Sequence, residues 1–343
     1  MFWKKQYVSL LILSLVLSIV FSSCSSTTSV KEPDWIWNPY AKYDRQTSIA
    51  EVGHGSSREA AESNAFGKLV LNFDRSIQVD EKVAVSYREA VKNGVIAGSS
   101  EGIAVDSTVI TTSNLNSLIG AEIGEVWDDG KGNIYAVAVL NKARTLRIYS
   151  DMIRSNQEMI GNLVTIPEAE KNTLEAVARY QLAATIADVT TSYGNVVSFI
   201  GSPVQGLKRG DDYRLEALGI AGEIPVEIRV RNDRSGRIEG SFAKALSDAG
   251  FRSGGNNSRY VLDVDIATTP VVIAGNQNLF TRIELKANLI DTIPGTVLLP
   301  FDFNSREGHI TQDEADNRAY AAAARKINED YPVLLGSYLY KGY

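Results

Sequence analysis

The sequence predicts an α+β fold with two domains, each a mainly antiparallel sheet packed with alanine-rich helices, and a helical segment between them. Three observations support this prediction. Apolar and polar residues alternate along segments such as 224–230 (IPVEIRV) and 260–267 (YVLDVDIA), as in strands with one buried face. Alanine-rich segments of helical period follow capping motifs such as 56–59 (SSRE). The 343 residues are more than one domain usually holds.

The first 23 residues have the pattern of an export signal. Lys4 and Lys5 precede an apolar run at 7–21. That run, of about 15 residues, is shorter than the roughly 20 that cross a bilayer as a helix. We therefore expect residues 1–23 to be removed as a signal peptide.

The signal ends at Cys24, the only cysteine of the chain. The segment 21–24 (FSSC) resembles a bacterial lipobox, in which the cysteine is acylated and becomes the new N-terminus, although Phe21 stands where leucine is usual. The resemblance implies lipidation of Cys24 by palmitate and related acyl chains, followed by a polar tether at 24–32. The alternative is a free thiol that lies close to a signal peptide.

Charge and cysteine content argue against several classes of partner. Loss of Lys4 and Lys5 moves the formal net charge from −6 to about −8. Such an acidic chain is not expected to bind nucleic acid or anionic lipid as a general partner, because both attract clustered Lys and Arg. A single cysteine permits no intramolecular disulfide and, once acylated, no cysteine-based metal site. We expect no cofactor and no metal.

The predicted first domain, 33–145, opens with the segment 33–37 (PDWIW). Two tryptophans so close together predict a large apolar contact that packs the start of the chain onto this domain. The alternative is that they form an exposed aromatic contact at a membrane interface.

A strand-to-helix unit follows this opening. We predict a strand at 48–52, the tripeptide Gly53-His54-Gly55, and a helix from a Ser56 cap to about residue 73. A glycine pair at such a junction could bind phosphate. This pair lacks the third glycine of a dinucleotide fingerprint and the lysine of a P-loop, so phosphate binding is not favoured.

The middle of the first domain predicts extended structure. Uneven alternation within 76–118 indicates a long hairpin or two edge strands. The clearest strands are 119–127 and 134–140, joined by a turn at 128–133 (DDGKGN) whose Asp-Gly sequence suits a hairpin. The two aspartates of that turn could suggest calcium. The further acids of an EF-hand loop are missing, so we expect a turn only.

Five features of the first domain occur in a characteristic order. They are Pro-x-Trp at 33–35, a strand into Gly-x-Gly-Ser at 53–56, an alanine-rich helix, an extended middle, and VWDDG…IYAV at 126–137. Together they resemble the Lpp-twenty family of bacterial envelope lipoproteins, over about 33–144. The resemblance implies an α+β domain on a lipoprotein of the cell envelope, with relatives tied to outer-membrane structures and flagellar outer parts. It supplies no active-site residues.

A helical connector, 146–200, is predicted between the two domains. One helix covers 142–159, and a second begins at the capping box 165–168 (TIPE) and extends to about residue 190. The two could form an antiparallel pair that docks on the first domain or spaces it from the second.

The second domain is predicted to span 201–343, after an irregular stretch at 193–222 with a boundary near 201–209. Glycine and serine suggest that irregular stretch. The predicted elements of this domain are strands at 224–230, 260–267, 271–273, 281–291 and 297–303, helices at 238–249 and from 311, and a final strand or docking tail at 331–343.

Four residues are candidates for chemistry. His54 and His309 each precede a capped, alanine-rich helix by two residues, which suggests a distant repeat, a coincidence or a shared histidine site. Neither has a third ligand or a nucleophile nearby in sequence, so structural or surface roles are favoured. Asp263 and Asp265 share one face of a strand and could bind a metal or act as an acid–base pair. Alternation favours a solvated strand face instead.

The sequence contains no nucleophile elbow, HExxH or Walker motif. It predicts a non-enzymatic lipoprotein of the cell outer membrane, on its periplasmic or surface face, that acts as a binding or scaffold protein. The expected partners are the bilayer, through acylated Cys24, and envelope proteins or peptidoglycan; a homo-oligomer is left open.

One alternative is a periplasmic lipid or small-ligand carrier, which needs an apolar cavity between helices and sheet. The other is a hydrolase of unknown substrate that uses His54, His309 or the aspartate pair.

Overall fold

The computed structural model describes residues 31–73, 80–92, 118–234 and 236–340. These residues form two compact units. The first unit comprises 31–68 together with 122–139, and the second comprises the remaining described residues. Both contain helices and a sheet, which confirms the predicted α+β class. The signal peptide, Cys24 and most of the tether lie outside the described residues.

The described residues contain seven α-helices and eight strands. The helices are α1 (Arg58–Leu71), α2 (Glu81–Lys92), α3 (Lys142–Val164), α4 (Leu174–Ile200), α5 (Gly210–Gly222), α6 (Arg237–Asp248) and α7 (Gln312–Tyr340). The strands are β1 (Ser48–Gly55), β2 (Ala121–Asp128), β3 (Ile134–Asn141), β4 (Pro225–Arg231), β5 (Arg252–Ser253), β6 (Tyr260–Val271), β7 (Leu279–Asp291) and β8 (Thr296–His309). Among these helices, none combines the length and the apolar character needed to cross a membrane.

The first unit is built on a three-stranded sheet in the order β1-β3-β2. β3 is its central strand, and the residues from Ala136 to Leu140 are all buried. A short 3₁₀ turn, Asp34–Ile36, brings Trp35 and Ile36 onto this sheet, where they pack with Ala50 and Val137. The start of the folded chain is therefore fixed by apolar burial.

The second unit includes a layer of helices around α4. Most residues of α4 are buried, as expected for a helix that is apolar on all sides. It contacts α2, α3, α5 and α7. A polar chain crosses this layer: Tyr87 donates to Asn156 Oδ1 at 3.1 Å, and Asn156 Nδ2 donates to Thr190 Oγ1 at 3.0 Å. The side chains of Tyr87, Asn156 and Thr190 thus satisfy one another inside the helical layer.

The second unit also contains a five-stranded sheet in the order β5-β4-β6-β7-β8. β4 runs parallel to β5 and to β6, whereas β6, β7 and β8 form an antiparallel meander. α6 and α7 pack against one face of this sheet. Phe242, Phe301 and Tyr331 meet edge to face in that layer, with ring centroids 4.9 to 6.1 Å apart. Side chains therefore fill the space between helices and sheet.

The prediction of extended structure is wrong for the part of 76–118 that is described. Val83 and Val85 lie in α2, because Ala84, Tyr87 and Ala90 form a buried helical face at intervals of three residues. The other alternating residues of that stretch lie outside the described residues. They are Ile77, Val79, Ile103, Val105 and Val109.

Two predicted helix caps are misplaced. α1 is capped by Ser57, whose Oγ accepts from Ala60 N at 3.2 Å, and not by Ser56. Thr165 ends α3 and donates to Gly161 O at 2.7 Å instead of starting a helix. The next helix, α4, begins after Thr173, whose Oγ1 accepts from Ala176 N at 3.0 Å. An N-cap residue lies just before the first turn of a helix, whereas Thr165 stands at the C-terminal end of α3.

Three further segments differ from the sequence prediction. The stretch 193–222 is largely helical, because α4 continues to Ile200 and α5 follows. The segment 331–340 is the last part of α7 rather than a strand or tail. Of the predicted strand at 271–273, only Val271 is in a strand, as the end of β6.

Candidate functional site

Two tryptophans open the first unit, and they have different environments. Trp35 is 3% exposed and belongs to the core, as predicted. Trp37 is 78% exposed, so the packing prediction is wrong for this residue. Trp35 lies within the 3₁₀ turn and Trp37 at its end, and the two side chains face different environments. The number of tryptophans in the sequence does not reveal this difference.

The glycine pair of the first unit is used for close packing. A Cβ on Gly53 would lie 2.1 Å from Ala65 N and 2.4 Å from Ala61 O, both backbone atoms of α1. A Cβ on Gly55 would lie 2.7 Å from the Ala60 side chain. β1 therefore approaches α1 more closely than any residue with a side chain would allow. This geometry explains the two glycines without a phosphate ligand.

The aspartates at 128–129 form a turn. Asp129 Oδ1 accepts from Lys131 N at 2.7 Å and from Asn133 N at 3.0 Å, and its Oδ2 accepts from Asn133 Nδ2 at 2.7 Å. These hydrogen bonds, the Asn133 side chain first, lower the pKa of Asp129 below its usual value. The carboxylate oxygens thus stabilise the β2–β3 connection.

The two histidines have local contacts. His54, in β1, stacks on Tyr135 with ring centroids 6.1 Å apart. His309 ends β8, and its Nδ1 lies 3.1 Å from Thr311 Oγ1. The two residues belong to different units. In the described part of the chain, no group of three or more His, Cys, Asp or Glu side chains could hold a metal ion.

Asp263 and Asp265 are both bound by one arginine. Arg231 Nη1 and Nη2 donate to the two carboxylate oxygens of Asp263 at 2.7 and 3.1 Å, and its Nε donates to Asp265 at 3.3 Å. The bidentate bond to Asp263 is the main reason that the pKa of Arg231 is raised. Arg231 offsets one of the two negative charges and Lys286 lies opposite Asp265, so the carboxylates form part of a solvent-facing charge network.

This network belongs to a larger surface, which we call the open face. It is the face of the second unit's sheet opposite α6 and α7, formed by alternate side chains of β4, β6, β7 and β8. Its exposed polar members are Arg229, Arg231, Asp265, Arg282, Glu284, Lys286, Asp302, Asn304 and Arg306. Strands with one wet face and one buried face are typical of antiparallel sheets.

Charges on the open face alternate across the strands in one row and repel in another. Arg231, Asp265, Lys286 and Asp302 lie side by side in register, so opposite charges are neighbours along the whole row. Two rows further along, Arg282 lies directly opposite Arg306. Like charges in that arrangement destabilise a sheet.

A shallow depression of about 540 Å³ lies over β7 and β8 on this face. Its lining includes Arg282, Glu284, Lys286, Asp302 and Arg306, so it is charged and opens to solvent. A second depression, of about 450 Å³, is lined from α2, α4, α5 and α7. These two depressions are not the apolar cavity between helices and sheet that a lipid carrier needs.

Sequence reasoning placed the two aspartates on the outer face but missed Arg231. The alternation of β4 put Arg229 and Arg231 on one face, and that signal was present in the sequence. What the sequence lacked was the partner strand. β4 pairs in parallel with β6 only after the intervening helix α6, so the contact between Arg231 and Asp263 is non-local.

Comparison with known proteins supports the predicted resemblance of the first domain. Residues 33–141 match the family described as LPP20 lipoprotein. No curated protein matches the chain. The solved structure of the secreted protein HP1454 from the human pathogen Helicobacter pylori is 14% identical with a TM-score of 0.40; the match covers 82% of this chain and 98% of that protein. A minor lipoprotein from Acinetobacter baumannii is 13% identical with a TM-score of 0.25, over 34% of this chain and 90% of that one. The family match supports an envelope lipoprotein.

Proposed function

We propose that this protein is a non-enzymatic scaffold lipoprotein of the cell outer membrane. The observation that carries the proposal is the order of two features: the lipobox-like segment ending at Cys24, followed within about ten residues by the LPP20 match at 33–141. A lipid anchor at Cys24 would hold both units close to the bilayer. The open face would then contact envelope proteins or peptidoglycan.

Anchoring explains how weak surface contacts can be sufficient. Two or more acyl chains attach a protein stably to a bilayer, whereas one chain does so only marginally. A partner in the same membrane or in the adjacent cell wall then meets the anchored protein at a raised effective concentration. Contacts that would be too weak between free molecules become useful, which suits a polar binding surface.

The character of the open face fits recognition rather than catalysis. Its two aspartates share Arg231 as a partner, and its row of alternating charges can select a partner of complementary charge. A catalytic carboxylate pair would instead need one group held protonated by burial or by a second unmatched acid. Asp263 and Asp265 have neither feature, because both lie on a solvent-facing sheet and both contact Arg231.

The anchor is tested by changing Cys24. In the cell, the Cys24→Ala variant is expected to keep its signal peptide or to leave the membrane fraction. The control variant Ser23→Ala keeps the cysteine and should remain membrane-bound. Mass spectrometry of the N-terminal peptide should show a diacylated or triacylated Cys24 in the wild type. An unmodified Cys24 in membrane-bound protein would refute the anchor.

The enzyme alternative is tested by substituting its candidate residues. The variants His54→Ala, His309→Ala and Asp263→Asn should each retain the cellular role of the protein in complementation of a deletion strain. Asp263→Asn leaves Arg231 a partner in Asp265, so folding is expected to persist. Loss of complementation by a variant that is still folded and still membrane-bound would favour a hydrolase.

A further inference from the structure

Strand β8 is the edge of the second unit's sheet. Its 14 residues are bonded on one side to β7, and among the described residues no strand pairs with its other side. An edge strand of this length presents a row of backbone N–H and C=O groups that can pair with another chain. A typical strand has about 5–6 residues, so the edge formed by β8 is long enough for a substantial interface.

The proline and the register shift of β8 both lie in the first part of the strand. Pro300 lacks a backbone N–H, and the register with β7 shifts between Leu289 and Ile290, opposite 297–299. The remainder, 301–309, keeps a regular register with β7. Natural sheets protect their edges with prolines, bulges and charged side chains, above all lysine. This part of β8 has no proline, register shift or lysine, and its charged residues are Asp302, Arg306 and Glu307.

The exposed side chains of this regular part are self-complementary. Asp302, Asn304 and Arg306 follow each other on the open face. If a second copy pairs antiparallel about a two-fold axis at Asn304, Asp302 faces Arg306 of the second copy, and Arg306 faces its Asp302. Pro300 then faces Gly308, the residue with the smallest side chain.

Other two-fold registers lose this complementarity. An axis at residue 303 places Asp302 opposite Asn304, and an axis at residue 305 places Arg306 opposite Asn304. Axes at Asp302 or Arg306 bring identical charges together, which destabilises a strand pair. Only the axis at Asn304 matches both charges at once.

Within the described part of the chain, neither Asp302 nor Arg306 forms a salt bridge of 4 Å or less, although Asp302 lies opposite Lys286 in the register. Arg306 lies opposite Arg282 in its own sheet, and its other contact is with the ring of Phe280, 5.7 Å from the guanidinium carbon to the ring centroid. A carboxylate from a second copy would offset the repulsion between the two arginines.

We infer that β8 pairs with β8 of a second copy, antiparallel about Asn304, so that two five-stranded sheets join into one continuous sheet. The interaction is isologous, with the same surface used on both copies. It does not depend on the anchor at Cys24, because all of its contacts come from β8. The open faces of the two copies would then form one larger charged surface.

Cysteine crosslinking of the full-length protein in cell envelopes tests this pairing. Residues directly opposite in an antiparallel pair have Cβ atoms about 4.5–5.5 Å apart, close to what a disulfide requires. Asn304→Cys is therefore expected to form a disulfide-linked homodimer under mild oxidation. Ser305→Cys, one residue further along and on the other face, is the matched control and should not. Equal crosslinking of both variants, or of neither, would overturn the inference.

Charge reversal provides an independent test. Asp302→Arg and Arg306→Asp each replace two attractive contacts by two repulsive ones, so each should weaken the dimer about tenfold or more. The double variant exchanges the charges and should restore dimerisation, as measured by sedimentation in detergent; circular dichroism would verify folding. Failure of the double variant to restore the dimer would contradict the register. A crosslink from Asn304→Cys to a different protein would show that β8 binds another partner instead.

Discussion

The close approach of β1 to α1 makes Gly53 the most informative position in the first unit. The change Gly53→Ala adds one methyl group in a place where backbone atoms leave no room. The added Cβ would lie 2.1 Å from Ala65 N, 2.4 Å from Ala61 O and 2.7 Å from Ala65 Cα. No side-chain rotation can relieve contacts with backbone, so strand and helix must move apart.

The size of this displacement sets the expected cost. Non-bonded atoms are in contact at about 3.5 Å, so the shortest overlap exceeds 1 Å. Ala50, Ala61 and Ala65 are fully buried around this point, and separation of the two elements would open gaps among them. Overpacking of a core costs about 1–3 kcal/mol, and we expect Gly53→Ala to reach the upper end of that range or exceed it.

The assay is urea denaturation of the full chain, followed by tryptophan fluorescence, with Trp35 as a reporter buried in the first unit. Gly67→Ala is the matched control, because Gly67 is exposed within α1 and its added Cβ would meet nothing within 4 Å. Alanine is a better helix former than glycine, so this control should stabilise by about 0.5–1 kcal/mol. The two glycine-to-alanine changes are thus predicted to have opposite signs.

Two results would refute the packing argument. One is a Gly53→Ala variant as stable as the wild type, since the strand and helix would then tolerate a side chain between them. The other is a variant of normal stability that has lost affinity for inorganic phosphate. That second result would show that the glycine pair serves as an anion loop.

Three further predictions concern the second unit. Asn156→Ala should destabilise it by about 1–3 kcal/mol in chemical denaturation, because Tyr87 would lose its buried acceptor. Tyr331→Phe should be neutral or stabilising in the same assay, because burial raises the pKa of Tyr331 and its hydroxyl has no hydrogen-bond partner in the described structure. Burial opposes ionisation of Asp291, but its hydrogen bonds with Arg259 outweigh this effect and lower its pKa below the usual value. The stability that the ionised Asp291 contributes to the fold is therefore complete above about pH 4 and is lost as the pH falls towards the pKa in the folded state. An Asp291→Asn variant whose stability fell just as steeply below pH 4 would contradict that assignment.

The longer strands of the second unit, β4, β6, β7 and β8, could be predicted from the sequence because each has one buried face. In β6 and β7, buried and exposed residues alternate, so the pattern of the chain repeats the pattern of burial. The β2–β3 connection was recognisable for a different reason. Its Asp-Gly sequence satisfies backbone groups locally, through the Asp129 carboxylate, and local contacts can be seen in sequence.

The missed helices had a signal that competing residues obscured. In α5, Tyr213, Ala217 and Ala221 are buried at intervals of four, but nearby glycines suggested a loop. In α7, Tyr331 and Leu335 are buried with Leu339 at the same interval, and Pro332 lies inside the helix where the prediction had a strand or tail. Contacts with the sheet maintain this helix across the proline, and such tertiary stabilisation is not visible in local propensity.

The candidate surface could be predicted only in part. Outward-facing charges on each strand were visible, but their grouping into rows depends on strand order and register. β4 lies beside β6, and Arg231 therefore meets Asp263, which is 32 residues away. The pairing of β4 with β6 depends on the path that the chain takes through α6. The sequence predicts that this connection is a helix, but not which strands it places side by side.

Crosslinking in living cells tests the scaffold proposal most directly. A photoreactive residue at Lys286, in the centre of the open face, is compared with one at Lys244 on the exposed side of α6. The proposal predicts a specific adduct with an envelope protein or a peptidoglycan fragment from position 286, absent from position 244 and lost in Cys24→Ala. Recovery of the protein alone, or with lipid only, from both positions would contradict the scaffold function and favour a carrier.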